Sequence, residues 1–219
     1  MYDNFNYIKG GWVNRNRLLV VNSKPIFIRV PVKKSSSMSK LCNINIDNKT
    51  KWRNKLLKII YYNYRKTIFF EEIFTVIEGL ILKEIEYLTD LNCSAITQIS
   101  HYLDISTDIV SDISNYELLE KELSIRGSYV DTFFNVIQKP DGIKSTRVIY
   151  ICKNEQADTF VNAIGGQELY NKQIFLINGI KLCFINTLPY SYKQRASQFF
   201  PNLSIIDVLM NCGKEGTKK

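Results

Sequence analysis

The apolar period of the chain changes near Asn48, and that change limits the class of fold more than any other feature. Before it, "RLLVVNSKPIFIRVPVKK" holds two β-rich runs around Asn22-Ser23-Lys24-Pro25, which reads as a hairpin. A proline opening the second run is tolerable there. "LCNINID" at 41–47 alternates apolar and polar residues and predicts a third strand. After it, Trp52, Leu56, Ile60 and Tyr64 recur every four residues, and Lys51, Arg53, Lys55, Lys58 and Arg65 fill the gaps. That is an amphipathic helix with a basic outer face. Ile73, Ile77, Leu80, Ile81, Ile85 and Leu88 predict a second helix over about 70–90, and "CSAITQISHYLDIS" a short third one with His101 near its end. Strands first and helices next define an α+β chain: a mixed sheet built from hairpins, with several amphipathic helices packed on it.

The rest of the chain adds elements of both kinds. "YELLEKELSI" is helical by pattern, whereas Gly127 and the Pro140-Asp141-Gly142 turn mark 115–142 as a loop or an insertion. "TRVIYICKNEQADTFVNAI" reads as a helix stopped at Gly165-Gly166. Asn178-Gly179, between two β-rich runs, is the strongest short hairpin signal present. "SIIDVLMNCG" predicts a closing helix capped by Ser204 and Gly213. The expected organisation is a single domain over 1–213 and a disordered tail over 214–219.

Charge is distributed unevenly. Residues 1–66 hold 15 Lys/Arg against 2 Asp/Glu, and residues 67–219 hold 14 against 19. A positive first third favours phosphates, nucleic acid or an anionic membrane surface as partner. The five cysteines include no C-x-x-C pair, and His101 is the sole histidine, so neither a disulfide framework, a histidine metal site nor a Ser-His-Asp triad is indicated. Reduced cysteines, no apolar run near the length of a membrane span and no signal peptide point to a soluble, cytoplasmic protein. No Walker pattern or G-x-G-x-x-G is present, and no cofactor is called for.

"GGWVNRNRLLV" at 10–20 carries the most specific chemistry. An arginine fork grips phosphate or carboxylate, an asparagine amide both donates and accepts toward sugar hydroxyls, and an indole offers a stacking face. On a strand, Asn14 and Asn16 would share one face, and Arg15 and Arg17 the other. A solvated strand edge beside a core tryptophan is the alternative. The Gly10-Gly11 and Gly165-Gly166 pairs suit an anion cradle or a plain turn. Asp207, between apolar neighbours in "SIIDVLMN", suits a general base or a carboxylate favoured by the helix N-terminus.

Four blocks in order, "YIKGGWVNRNRLLVVNSKPIFIRVPVKK", "KWRNKLLKIIYYNYRKTIFF", "TRVIYICKNEQADTFVNAIGGQELYNKQIFLINGIKLCF" and "YSYKQRASQFFPNLSIIDVLMNCG", resemble the WbqC-like family over nearly the whole chain. The resemblance implies a cytoplasmic bacterial protein of O-antigen, lipopolysaccharide or other surface-polysaccharide synthesis that modifies a sugar by acyl or aminoacyl transfer to an amino sugar. Positions matching the family blocks are Lys9, Trp12, Asn14, Arg15, Asn16, Arg17 and Trp52, then Arg147, Gly165, Tyr170, Tyr190, Gln194, Asp207, Asn211 and Gly213. Family members usually begin with a Gln-Pro-Tyr-like segment ahead of the residue matching Asp3. This chain begins at Met1-Tyr2-Asp3, so that segment is expected to be absent and the enzyme to be incomplete if it forms part of the active site.

Two functions follow. In the first, a transferase takes a nucleotide- or lipid-diphosphate-linked sugar. Lys9, Trp12, Asn14, Arg15, Asn16, Arg17, Arg147, Tyr170 and Gln194 bind it, Asp207 is the catalytic candidate, and no metal takes part. In the second, the basic helix 51–66 and the loop 33–40 form a non-catalytic module for nucleic acid or an anionic membrane surface. The lack of an aromatic stacking platform makes nucleic acid the weaker partner, while peripheral membrane contact stays compatible with the charge.

Overall fold

The computed structural model describes residues 2–36, 38–111, 114–126, 143–188 and 190–218. The chain divides into two compact units, Met1–Ser111 with Tyr190–Lys219, and Asp112–Pro189.

The first unit opens with the expected hairpin. β1 (Arg15–Leu19) pairs antiparallel with β2 (Pro25–Arg29), with Arg15 opposite Arg29 and Arg17 opposite Phe27. Asn22 adopts a left-handed φ of 55° in the connection, a conformation asparagine tolerates. The third strand expected at 41–47 does not form. Leu41–Asn43 is a single 3-10 turn closed by the Ile44 N–H on the Leu41 carbonyl, and only isolated bridges link Asn45 to Tyr87 and Ile46 to Val32. The apolar alternation is real, since Leu41, Ile44 and Ile46 are all buried, but it serves a winding segment whose partners come from several directions.

α1 (Trp52–Tyr64) follows its four-residue period, burying Trp52, Leu56, Leu57, Ile60 and Tyr64. The apolar stripe expected to run from 70 to 90 is two helices. α2 (Phe70–Ile81) ends before Ile85, and Leu88 begins α3 (Leu88–Tyr102). The closing helix α7 (Ile205–Thr217) starts as expected, with the Ser204 hydroxyl accepting from the Ile206 N–H. Gly213 interrupts it with φ 66°, where an added Cβ would lie 2.6 Å from the Phe69 ring. Helix resumes beyond it to Thr217, and Lys214 and Lys218 reach the Asp104 carboxylate at 2.7 and 2.6 Å. These elements enclose a core that includes Leu18, Ile46, Ile60, Ile73, Leu88 and Leu209.

The second unit contains α4 (Glu117–Arg126), α5 (Ile143–Asn154), β3 (Thr159–Ala163), α6 (Lys172–Ile177) and β4 (Lys181–Ile185). Its core holds Ile149, Cys152, Phe175, Ile180 and Leu182. Two expectations change here. The helix read through to Gly165 stops at Asn154, and Thr159–Ala163 is strand. The hairpin at Asn178-Gly179 is a helix end: Gly179 has φ 77°, and the Ile180 N–H donates to the Phe175 carbonyl at 2.9 Å, closing a six-residue cap. An Asn-Gly pair offers the same left-handed backbone to a hairpin or a helix terminus. Here the Asn171 side chain, which accepts from the Gln173 N–H, starts a helix in front of it. β4 therefore pairs with β3, in parallel.

The fold is α+β as expected, with the described strands divided between two two-stranded sheets, one antiparallel and one parallel, instead of a single mixed sheet. Most of the stretch expected as an insertion, 115–142, lies outside the described residues. Among the described residues, no helix is long and apolar enough to cross a membrane.

Candidate functional site

Directly opposite residues of a hairpin share a face, so the register of β1 and β2 gathers Arg15, Arg17, Phe27 and Arg29 on one side. The two neighbouring arginines then part. The Arg15 guanidinium lies 5.2 Å from the Trp12 ring centre and 4.9 Å from that of Phe27. These aromatic faces attract the cation and hold its plane, yet they accept no N–H in the plane of the guanidinium. Its buried Nε has no hydrogen-bond partner. Arg17 instead donates from Nη2 to the carbonyls of Pro201 and Asn202 at 3.1 and 2.9 Å, and its own carbonyl accepts from the Ser204 N–H at 2.9 Å. It fastens β1 to the segment that leads into α7.

A cavity of about 480 Å³ opens beside Arg15, with Trp12, Asn14, Asn16, Arg29 and Asn92 among its lining. Asn14 and Asn92 are partly committed to the scaffold, donating to the carbonyls of Val30 and Val13 at 3.0 and 3.1 Å. The exposed Asn16 accepts from the Arg17 N–H at 2.8 Å, which leaves its amide donors outward. Trp12 is 60% exposed despite its ring contact with Phe27. Among the described residues, no Asp, Glu, His or Cys lines this cavity. Its chemistry is recognition by a cation, amides and an aromatic face.

A second polar cluster is closed. Asp207, in the first turn of α7, has no exposed surface. One carboxylate oxygen accepts from the Tyr64 hydroxyl at 2.6 Å, and the other accepts from the Tyr192 hydroxyl at 2.7 Å and from Gln194 Nε2 at 3.4 Å. The Tyr64 hydroxyl also accepts from the Leu19 N–H, and Gln194 exchanges two hydrogen bonds with the Phe200 backbone. Burial first, and the neighbouring carboxylate second, push both phenols above the usual tyrosine range, so they remain donors. Asn211 adds a bond to the Asp207 carbonyl at 2.7 Å.

Of the residues singled out in the sequence, Trp12, Asn14, Arg15 and Asn16 meet at the open cavity, and Arg17, Gln194 and Asp207 belong to the region around the closed cluster. Lys9 is exposed outside the cavity lining. Tyr190 is exposed and stacks on Tyr192. Arg147 and Tyr170 lie in the second unit, where Arg147 is bound to both Glu120 oxygens at 2.5 and 3.1 Å, and Tyr170 packs edge-on against Phe160 and Phe175. Phe27, Arg29, Asn92, Tyr64 and Tyr192 were not singled out. The turn read at 22–25 would set Arg15 opposite Val32 and Arg17 opposite Val30, so Phe27 and Arg29 emerge only with the observed pairing of Leu19 with Pro25; Asn92 carries no sequence signal. Among the described residues, no three His, Cys, Asp or Glu side chains gather as a metal site.

The chain is 26% identical over 217 residues to the uncharacterized protein Rv1507c of Mycobacterium tuberculosis, an alignment spanning 98% of this chain and 84% of the relative. No solved structure gives a significant match. The WbqC-like protein family matches residues 1–219, from the exposed Trp12 and its arginines through the enclosed Asp207, and the chain belongs to that family.

Proposed function

We propose that the protein binds a phosphate-bearing amino sugar, nucleotide- or lipid-diphosphate-linked, in the cavity beside Arg15, and transfers an acyl or aminoacyl group to it in the cytoplasmic stage of bacterial surface-polysaccharide (O-antigen) synthesis. The observation that carries this reading is the Arg15 guanidinium: it rests against two neighbouring rings, lines a cavity, and its Nε has no acceptor among the described residues. A phosphate would meet the free edge of the guanidinium, a sugar would lay its C–H face on Trp12, and Asn16 would read a hydroxyl. The described lining has no carboxylate or imidazole, which suits an amine acceptor: the free amine is itself a nucleophile and needs orientation more than a base. It attacks the carbonyl of an activated acyl donor, an amide bond forms, and the donor's leaving group departs with the amine proton. In this reading Asp207 is a positioning residue that holds Tyr64, Tyr192 and Gln194, and through them β1.

Binding of a panel of sugar nucleotides, followed by calorimetry, tests the assignment. Arg15→Ala should weaken the bound member by about 1.5–3 kcal/mol, the worth of a charged hydrogen bond. Equal affinity in wild type and variant would sink it. The same titration at two salt concentrations separates a ligand with two phosphates from a polyanion, which loses orders of magnitude in affinity between about 50 and 200 mM salt.

A further inference from the structure

The cavity beside Arg15 does not end there. Asn14, Arg29 and Val30 line both it and a second cavity of about 470 Å³ whose far wall is Thr50, Lys51, Trp52 and Lys55. Lys51 and Lys55 in turn line a third, of about 670 Å³, which follows α1 past Lys58 to Tyr62. Shared walls place the three end to end along one groove of the first unit, and among the described residues no Asp or Glu lines any of them.

Three independent features meet in the middle stretch. Arg29, Lys51 and Lys55 are cationic, and none of them makes an ion pair among the described residues. The thirteen-residue α1 begins there with no side-chain cap and no acidic residue in its first turn, so its own first turn supplies nothing to oppose the positive end of its dipole. Trp52 is 7% exposed, and its indole N–H has no acceptor. Four buried side-chain atoms among the described residues lack partners, and all four are N–H donors: those of Arg15, Arg17, Trp52 and Arg53. Arg15 and Trp52 both line this groove. Donors left over, cations without carboxylates and an uncapped helix start all ask for an acceptor-rich anion.

We propose that Arg29, Lys51, Lys55, the indole N–H of Trp52 and the N-terminus of α1 form a second phosphate subsite, so that the groove takes a diphosphate-bearing ligand. Its orientation, with the sugar toward Trp12 and the carrier toward Lys58, rests on the reading of the Arg15 cavity given above. Phosphate binding at α1 does not.

The probe is inorganic pyrophosphate. Trp12→Phe leaves Trp52 as the sole tryptophan, because the chain has two, and its fluorescence should change as pyrophosphate binds. Lys51→Ala/Lys55→Ala, made in that background, removes two exposed side chains and should weaken pyrophosphate by about tenfold or more. Arg15→Ala in the same background should retain the Trp52 response. Competition by a nucleoside diphosphate or by an isoprenyl diphosphate identifies the carrier, and success of either supports the subsite. Undiminished affinity in the double lysine variant overturns it, and so does a response lost only with Arg15. A chain that ignores pyrophosphate yet binds phosphatidylglycerol vesicles through Lys51 and Lys55 overturns it in favour of a lipid surface. In each of these cases the sugar-nucleotide titration of Arg15→Ala still judges the first cavity by itself.

Discussion

Arg15 and Arg17 stand two residues apart on one face of one strand, and the regions around them are opposites. Around Arg17 most polar groups are engaged by the protein: its Nη2 reaches two backbone carbonyls, although its Nε, like that of Arg15, has no partner, and nearby the Asp207 carboxylate takes two phenols and an amide. Around Arg15 the groups are fixed but not consumed, with a guanidinium held by rings and an indole N–H of the same groove without an acceptor. A satisfied buried cluster fixes geometry, because losing any member strands the others. An unsatisfied one has bonding capacity left for a ligand. Residue type and spacing are the same in the two cases, so the difference between scaffold and site lies in where the acceptors are.

The largest effect should come from the closed side. Asp207→Ala leaves the hydroxyls of the buried Tyr64 and the part-buried Tyr192 without their acceptor, and the cost should be about 2–5 kcal/mol, from about 1–3 for each stranded donor. Chemical denaturation measures it. Tyr64→Phe and Tyr192→Phe, which each delete one donor but keep the ring, should cost about 1 kcal/mol each. An Asp207→Ala variant as stable as wild type would mean that the enclosed carboxylate does not organise this unit, and the comparison would fail at its stronger end.

How far the sequence reached follows the same division. A helix stripe is a local pattern, so α1 was legible to its last turn, and so was the presence of the hairpin, though not the register that delivers Arg29 and Phe27. The Tyr64–Asp207 bond joins residues 143 apart, and nothing near either residue announces the other. For that reason Asp207 could be read as a base or as a cap, and the structure shows it enclosed. The Asn178-Gly179 turn failed for a subtler cause. The dipeptide specifies a left-handed backbone, while hairpin or helix end is decided by whether a cap such as Asn171 starts a helix before it. The alternation at 41–47 reported burial correctly and strand incorrectly, since a segment can turn its apolar residues inward while its backbone bonds to Leu88, Lys33, Glu86 and Pro31 in succession.

Exchanging the roles of the two arginines is the next sharpest test. Arg17→Ala removes the bonds to Pro201 and Asn202 and should lower stability by about 1.5–3 kcal/mol, with ligand affinity unchanged when measured well below the melting temperature. Arg15→Ala gives up only its ring contacts within the folded chain, about 0.5–1 kcal/mol, and its larger effect should fall on binding. Parallel melting curves and titrations of the two variants decide the matter. If both lose affinity equally, the arginines act together on the ligand and the scaffold assignment of Arg17 is wrong.

Asp104 extends the comparison into solvent and should show the smallest effect. It binds Lys214 and Lys218 at 2.7 and 2.6 Å, as close as the phenols approach Asp207, but it lies at the surface. Hydrogen bonds from the two lysines lower its carboxyl from the ordinary 3.8 to about 2. A folded-state value below the unfolded one adds stability that is fully present above the unfolded value and is lost as pH falls through the folded one. The gap in melting temperature between wild type and Asp104→Asn should therefore be constant at neutral pH, narrow below about pH 4 and close near pH 2. Added salt should also shrink it, which it should not do for Asp207→Ala, because water and ions screen an exposed pair and do not reach an enclosed one. If the gap at Asp104 rivals that at Asp207, partner number outweighs enclosure, and the contrast between the two arginines has to be explained by something other than access to solvent.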